Sequence, residues 1–100
     1  MVTHIVMWKL REECADGSRE EAAALIKGRL EALPAVIDGL ISAEVGVNFT
    51  ESDMAYDLCL YSTLESRAAL DAYQVHPAHL AVKEIVHRNV RERAVCDYEL

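Results

Sequence analysis

Among the side chains able to move protons in the last third of the chain, Tyr73, His76, His79 and Asp97 have the types and spacing that could do chemistry. Pro77 suits the first turn of a helix, which leaves His76 just outside that helix and His79 at its third position. The helix dipole disfavours an imidazolium there by roughly 0.3–1 kcal/mol. A carboxylate at contact distance acts the other way and more strongly, by roughly 1–3 pKa units. If Asp97 touches His79, it sets the tautomer and leaves one ring nitrogen free. Such a base with its orienter can take a proton α to a carbonyl, and the Tyr73 hydroxyl could hold the carbonyl oxygen. Each residue also has a plainer role open to it. His79 fills the helix–sheet contact while Asp97 satisfies its N–H, as buried polar groups are usually satisfied. Tyr73 packs its ring and turns its hydroxyl outward. His76 caps the helix that follows. His4, further back in the chain, is a pocket wall or a hydrogen-bonded core histidine. Zinc takes three or four converging ligands, and no second pair stands at the His76–His79 spacing, so no metal is expected.

The elements that must position these residues follow from hydrophobic periodicity. Residues 3–10 read as a strand with His4, Val6, Trp8 and Leu10 on one face and Ile5, Met7 and Lys9 on the other. Both faces are largely apolar, so this strand is expected at the centre of a sheet. Ser18 to Glu21 has the form of a capping box and opens a helix through Ala22, Leu25, Ile26, Arg29 and Leu33. That helix stops before Pro34, and its charges from Glu20 to Glu31 read as a solvated face. After the Asp38–Gly39 turn, residues 40–49 form a second strand with Ile41, Ala43, Val45, Val47 and Phe49 together. Residues 56–64 form a third, with Leu58, Leu60 and Ser62 opposite Asp57, Cys59 and Tyr61. Ser66 caps a short helix carrying Leu70 and Tyr73; residues 78–89 continue as helix with Val82, Ile85 and Val86 inward. Residues 93–99 close the chain as a strand, Val95 and Asp97 sharing a face opposite Cys96 and Tyr98.

Alternation then places Asp97 on the same sheet face as His4 and Trp8, and His79 on the helical stripe of Val82 and Val86 that must cover it. The expectation is a mostly apolar pocket bounded by His4, Trp8, Leu60 and Tyr73, with Asp97 and His79 meeting inside it. The order β-α-β-β-α-β is that of a ferredoxin-like α+β domain, with an antiparallel sheet and helices on one side. One hundred residues make one such domain, residues 1–100. The second sheet face would carry too many apolar residues for water, and a second copy in a twofold homodimer covers it most simply.

Bulk properties narrow the function. Hydrophobic residues are 52% of the chain and charged residues 27%, the balance of a folded globule. A net charge of −7 argues against nucleic acid and against an anionic membrane surface. No apolar run approaches the roughly 20 residues that span a bilayer, and the N-terminus lacks the features of a secretory leader. Cys14, Cys59 and Cys96 are odd in number and widely spaced, which points to free thiols and a cytoplasmic protein.

The segments His4-Ile5-Val6-Met7, Tyr73-Gln74-Val75-His76-Pro77-Ala78-His79 and Cys96-Asp97-Tyr98 resemble the stress-responsive dimeric α/β-barrel family, Dabb. The tyrosine–histidine–proline–histidine turn is the specific part, and the likeness runs over nearly the whole length. It implies a homodimer of ferredoxin-like subunits, each with a pocket between sheet and helices. It also implies a small organic ligand or, as in the family's plant polyketide cyclases, a cofactor-independent aldol-type ring closure. By that likeness His79 is the acid/base, Tyr73 stands beside it, Asp97 orients it and His4 lines the wall. Trp8 and Leu60 would contact the ligand. Ala22, Ala23 and Ile26 stand where a flat polyketide would favour aromatic walls, so the substrate does not carry over. Two readings remain: a lyase, cyclase or isomerase acting on a small carbonyl compound, and a non-catalytic dimer that binds a small ligand or serves in stress response. An antibiotic-biosynthesis-type monooxygenase is a weaker third.

Overall fold

The computed structural model describes all residues, Met1–Leu100. Strand β1 (Val2–Leu10) is followed by helix α1 (Arg19–Glu31), strands β2 (Leu40–Val47) and β3 (Leu58–Leu64), helices α2 (Arg67–Val75) and α3 (Pro77–Asn89), and strand β4 (Val90–Glu99). The strands form one antiparallel sheet in the order β2-β3-β1-β4, so β1 is central as its two apolar faces require. This is the ferredoxin-like α+β arrangement.

Strand β1 alternates strictly between buried and half-buried residues. Its buried set, Val2, His4, Val6, Trp8 and Leu10, lies under the helices with Leu58, Leu60, Ser62 and Leu64 of β3. Helix α1 contributes Ala22, Ala23, Ile26 and Leu30 to this core, and α3 contributes Val82 and Val86. Ser18 and Glu21 close the capping box at the start of α1 in both directions. The helix ends at Glu31, and Leu33–Ala35 forms a single 3-10 turn around Pro34. Gly39, at φ +86°, completes the turn into β2, where a Cβ would also stand 2.9 Å from that of Ala69.

Several expectations change. Strand β2 ends at Val47, so Phe49 lies beyond it and is 96% exposed. A bulge between Leu40 and Ser42 takes Ile41 out of register, and it too is exposed. Strand β3 begins at Leu58 because Asp57 serves as a fastening point: its Oδ2 accepts from the Leu10 amide at 2.7 Å and pairs with Arg19 at 3.1 Å. The charges on α1 are not simply solvated either. Strand β2 is a sheet edge, and at Val45 its open backbone groups are taken by α1 side chains. Lys27 donates to the Val45 carbonyl at 2.6 Å, Glu31 accepts from the Val45 amide at 3.0 Å, and the two charges pair at 2.8 Å. An edge satisfied this way does not invite another strand.

The uncovered sheet face carries Ile5 and Met7 from β1, Cys59 and Tyr61 from β3, and Ala94, Cys96 and Tyr98 from β4. Polar residues enter it at the β2 side, where the Ser42 and Thr63 hydroxyls bond at 2.6 Å. The apolar part is thus a strip across β3, β1 and β4, narrower than the sequence implied. The three cysteines are free thiols.

Candidate functional site

The helix-facing side of β1 holds a buried histidine, His4, only 2% exposed in an otherwise apolar row. The antiparallel register sets it directly opposite Asp97 on β4. Residues so paired across strands bring their side chains together, and the His4 Nδ1–H donates to the Asp97 carboxylate. Because a carboxylate only accepts, Nδ1 carries the proton of this bond, and Nε2 takes no part in it. The Ser62 hydroxyl donates to the His4 carbonyl at 2.8 Å, which satisfies the other polar group in this part of the core.

The helix layer supplies the second half of the site. Ser66 caps α2 by accepting from the Ala69 amide at 3.1 Å, and the helix delivers Tyr73, 2% exposed, onto the sheet. Helix α3 starts at Pro77, with His76 as its N-cap: the imidazole Nδ1 accepts from the Ala78 amide at 3.0 Å. That occupies His76 structurally. His79 then faces inward above Tyr73, ring centroids 4.2 Å apart, and Tyr73 is 5.9 Å from His4 on its other side. His79 Nδ1 donates to the Gln74 carbonyl at 3.3 Å, and its Nε2 keeps its lone pair.

Asp97 and His79 therefore do not meet, contrary to the expectation from alternation. The face was assigned correctly, but cross-strand register gives Asp97 to His4, and Tyr73 contacts both histidine rings from the helix layer. The orienter of His79 is a main-chain carbonyl at the end of α2, a partner that no side-chain pattern displays.

Electrostatics set the protonation states. Burial holds the pKa of His79 below its ordinary value near 6.5; the Gln74 bond opposes this, while Lys83, His4 and Arg93 add to it. His79 is consequently neutral at pH 7. Burial pushes the Tyr73 phenol up to about 12, so it remains a protonated donor. A neutral base and a phenol donor thus stand side by side.

His4, Trp8, Leu60, Tyr73 and His79 all line one cavity of about 40 Å³, with Val6, Leu30, Val82 and Val86 as further apolar wall. Asp97 reaches this cavity only through His4, its own side chain being 40% exposed at the sheet edge. Sequence reasoning missed Gln74, Lys83, His87 and Arg93, which also line it. The signal was available in part. His79, Lys83 and His87 follow one another at i, i+4 spacing along α3, and Arg93 alternates with Val95 and Asp97 on β4. No three His, Cys, Asp or Glu side chains converge as a metal site would require.

Residues 2–100 match the Stress responsive A/B Barrel Domain family, Dabb. The chain belongs to that family. It is 30% identical over 101 residues to an uncharacterised protein of Streptomyces coelicolor, covering 99% of each chain. A dimeric protein of ferredoxin-like fold from Bacteroides fragilis superimposes with a TM-score of 0.82 at 34% identity, over 99% of this chain and 95% of that one. The hydroxynitrile lyase of Passiflora edulis has the same fold, with a TM-score of 0.80 at 16% identity, over 97% of this chain and 90% of that one.

Proposed function

We propose that the cavity is a ligand site in which His79 acts as general base and Tyr73 as hydrogen-bond donor. The reaction type is a cofactor-independent lyase or cyclase step on a small carbonyl compound. The observation that carries this reading is the placement of His79: neutral, half-buried, bonded through Nδ1 to Gln74, with Nε2 unengaged beside a protonated phenol. Nε2 takes a proton from the carbon α to the carbonyl, and the electron pair moves onto the carbonyl oxygen. Tyr73 donates to that oxygen; the enolate carbon then attacks a second carbonyl of the same molecule, forming the ring C–C bond, and His79 returns the proton to the alkoxide that results. His4, held by Asp97, lines the same space. The lyase of Passiflora edulis lends the fold; the residues here carry the chemistry.

The working unit of this reading is a homodimer, as described for the Bacteroides fragilis relative, closed over the apolar strip of the open sheet face. Free thiols fit a cytoplasmic setting. The second reading, a non-catalytic dimer that binds a small ligand, draws on the cavity's mostly apolar wall; at about 40 Å³ the cavity is small for either role. A substrate would have to part α3 from the sheet.

Deuterium uptake at the α carbons of phenylacetone and levulinate in D₂O, followed by NMR, separates the readings. The wild type should accelerate exchange into at least one of them, and His79→Ala, folded to the same melting temperature, should not. Equal rates with both proteins would leave only the binding function.

A further inference from the structure

Trp8 is 95% buried, since only 5% of its surface is exposed, and its indole N–H is the single buried side-chain polar atom without a hydrogen-bond partner. An orphan donor costs roughly 1–3 kcal/mol, a cost that an acceptor held in an adjoining cavity would offset. This one lines two: the 40 Å³ cavity of the site and an outer pocket of about 200 Å³ that shares Trp8, Val86, His87 and Arg93 with it. Directly opposite Trp8 in the β1–β4 register stands Arg93.

Charge around this wall runs against the rest of the molecule. The chain carries a net −7, yet the inner cavity is lined by three histidines, Lys83 and Arg93 and by no carboxylate. Most other cations are neutralised: Lys9 and Arg91 by Glu92, Arg19 by Asp57, Lys27 by Glu31, Arg67 by Glu99 and Arg88 by Asp16. Arg93 and Lys83 have no such partner. Glu92, the carboxylate at the outer pocket, is already held by Lys9 at 3.2 Å and Arg91 at 3.2 Å. Two unpaired cations and an unpaired N–H donor beside apolar walls ask for one kind of occupant.

We infer that the site takes a small organic carboxylate, its anionic head held by Arg93 and the Trp8 indole N–H and its apolar body in the outer pocket of about 200 Å³ against Val86 and Val90. The guanidinium fork matches a carboxylate's two oxygens, and the indole N–H supplies the third bond. Lys83 and His87 stand at the same wall. This deepens the reading of the cavity as a ligand site and rests on it.

Trp8 is the only tryptophan, so it reports on its own site. Benzoate and its neutral counterpart benzamide are titrated into the protein while the indole N–H resonance and the fluorescence are followed. Benzoate should shift both and bind at least tenfold more tightly than benzamide. Arg93→Gln should weaken benzoate at least fivefold and leave benzamide unchanged. Arg29→Gln, an exposed cation away from the cavity, should alter neither. Equal binding of the two probes, or an Arg93→Gln protein with undiminished benzoate binding, overturns the carboxylate assignment while the ligand site stands. No binding of either probe overturns both.

Discussion

His4 and Asp97 face each other across β1 and β4, and the buried imidazole Nδ1–H donates to the half-exposed carboxylate. The pair joins the centre of the sheet to its edge and fixes which His4 nitrogen carries the proton of that bond.

Asp97→Asn should therefore act on His4 and not on His79. The fold should survive, with a loss of about 1 kcal/mol, because the carboxylate is half-exposed and solvent screens such pairs. In ¹⁵N spectra the His4 ring resonances should move and the His79 ring resonances stay. Movement of both by similar amounts would place Asp97 within reach of His79 after all.

A second polar cluster, unrelated to the cavity, ties the loop after β1 to the end of α3. Arg88 grips both Asp16 oxygens at 2.8 Å, and the fully buried Asn89 donates to Asp16 at 2.6 Å and to the Ile85 carbonyl at 2.8 Å. These bonds, Arg88 first and Asn89 second, lower the Asp16 pKa from 3.8 to about 2. A carboxylate whose folded value lies below its unfolded value stabilises the fold above the unfolded value and loses that contribution as pH falls through the folded one. Asp16→Asn should thus unfold at lower urea concentration than wild type at pH 7, and the gap should close between about pH 4 and pH 2. A gap independent of pH would remove charge from the explanation.

Covering the strip of Ile5, Met7, Tyr61 and Cys96 with a second copy predicts a sedimenting species of twice the 11.2 kDa chain mass at micromolar concentration. Met7→Lys, in the middle of that strip, should shift the equilibrium toward monomer and lower the thermal midpoint at low concentration. A wild type that sediments at 11.2 kDa would refute this.

Much of the fold was legible because one signal served two purposes. The alternation in β1 marked it as a strand and, by being apolar on both sides, as the central one; Pro77 and His76 marked a helix start and its cap. Cross-strand register was not legible, since alternation assigns a face but not an opposite number. This is why Asp97 was matched to His79 while its neighbour was His4. The Ile41 bulge and the Val45 edge caps escaped for a related reason: both depend on backbone groups left open by the topology, and one-dimensional periodicity carries no record of them. Tyr73, His79, His4, Trp8 and Leu60 were gathered correctly because each lies on a stripe that must face the same layer.

The proposed reaction requires a neutral His79 with its lone pair on Nε2, and titration of His79 by ¹⁵N-detected NMR tests this most directly. Burial and the nearby cations lower the folded pKa, so the group favours the fold above about pH 6.5 and that contribution is lost as acid protonates it through the lowered value. Any base-dependent turnover should fall along the same acidic limb. The predicted result is a midpoint below 6.5 with the proton on Nδ1 at pH 7. A midpoint above 6.5, or a proton on Nε2 at neutral pH, would contradict it.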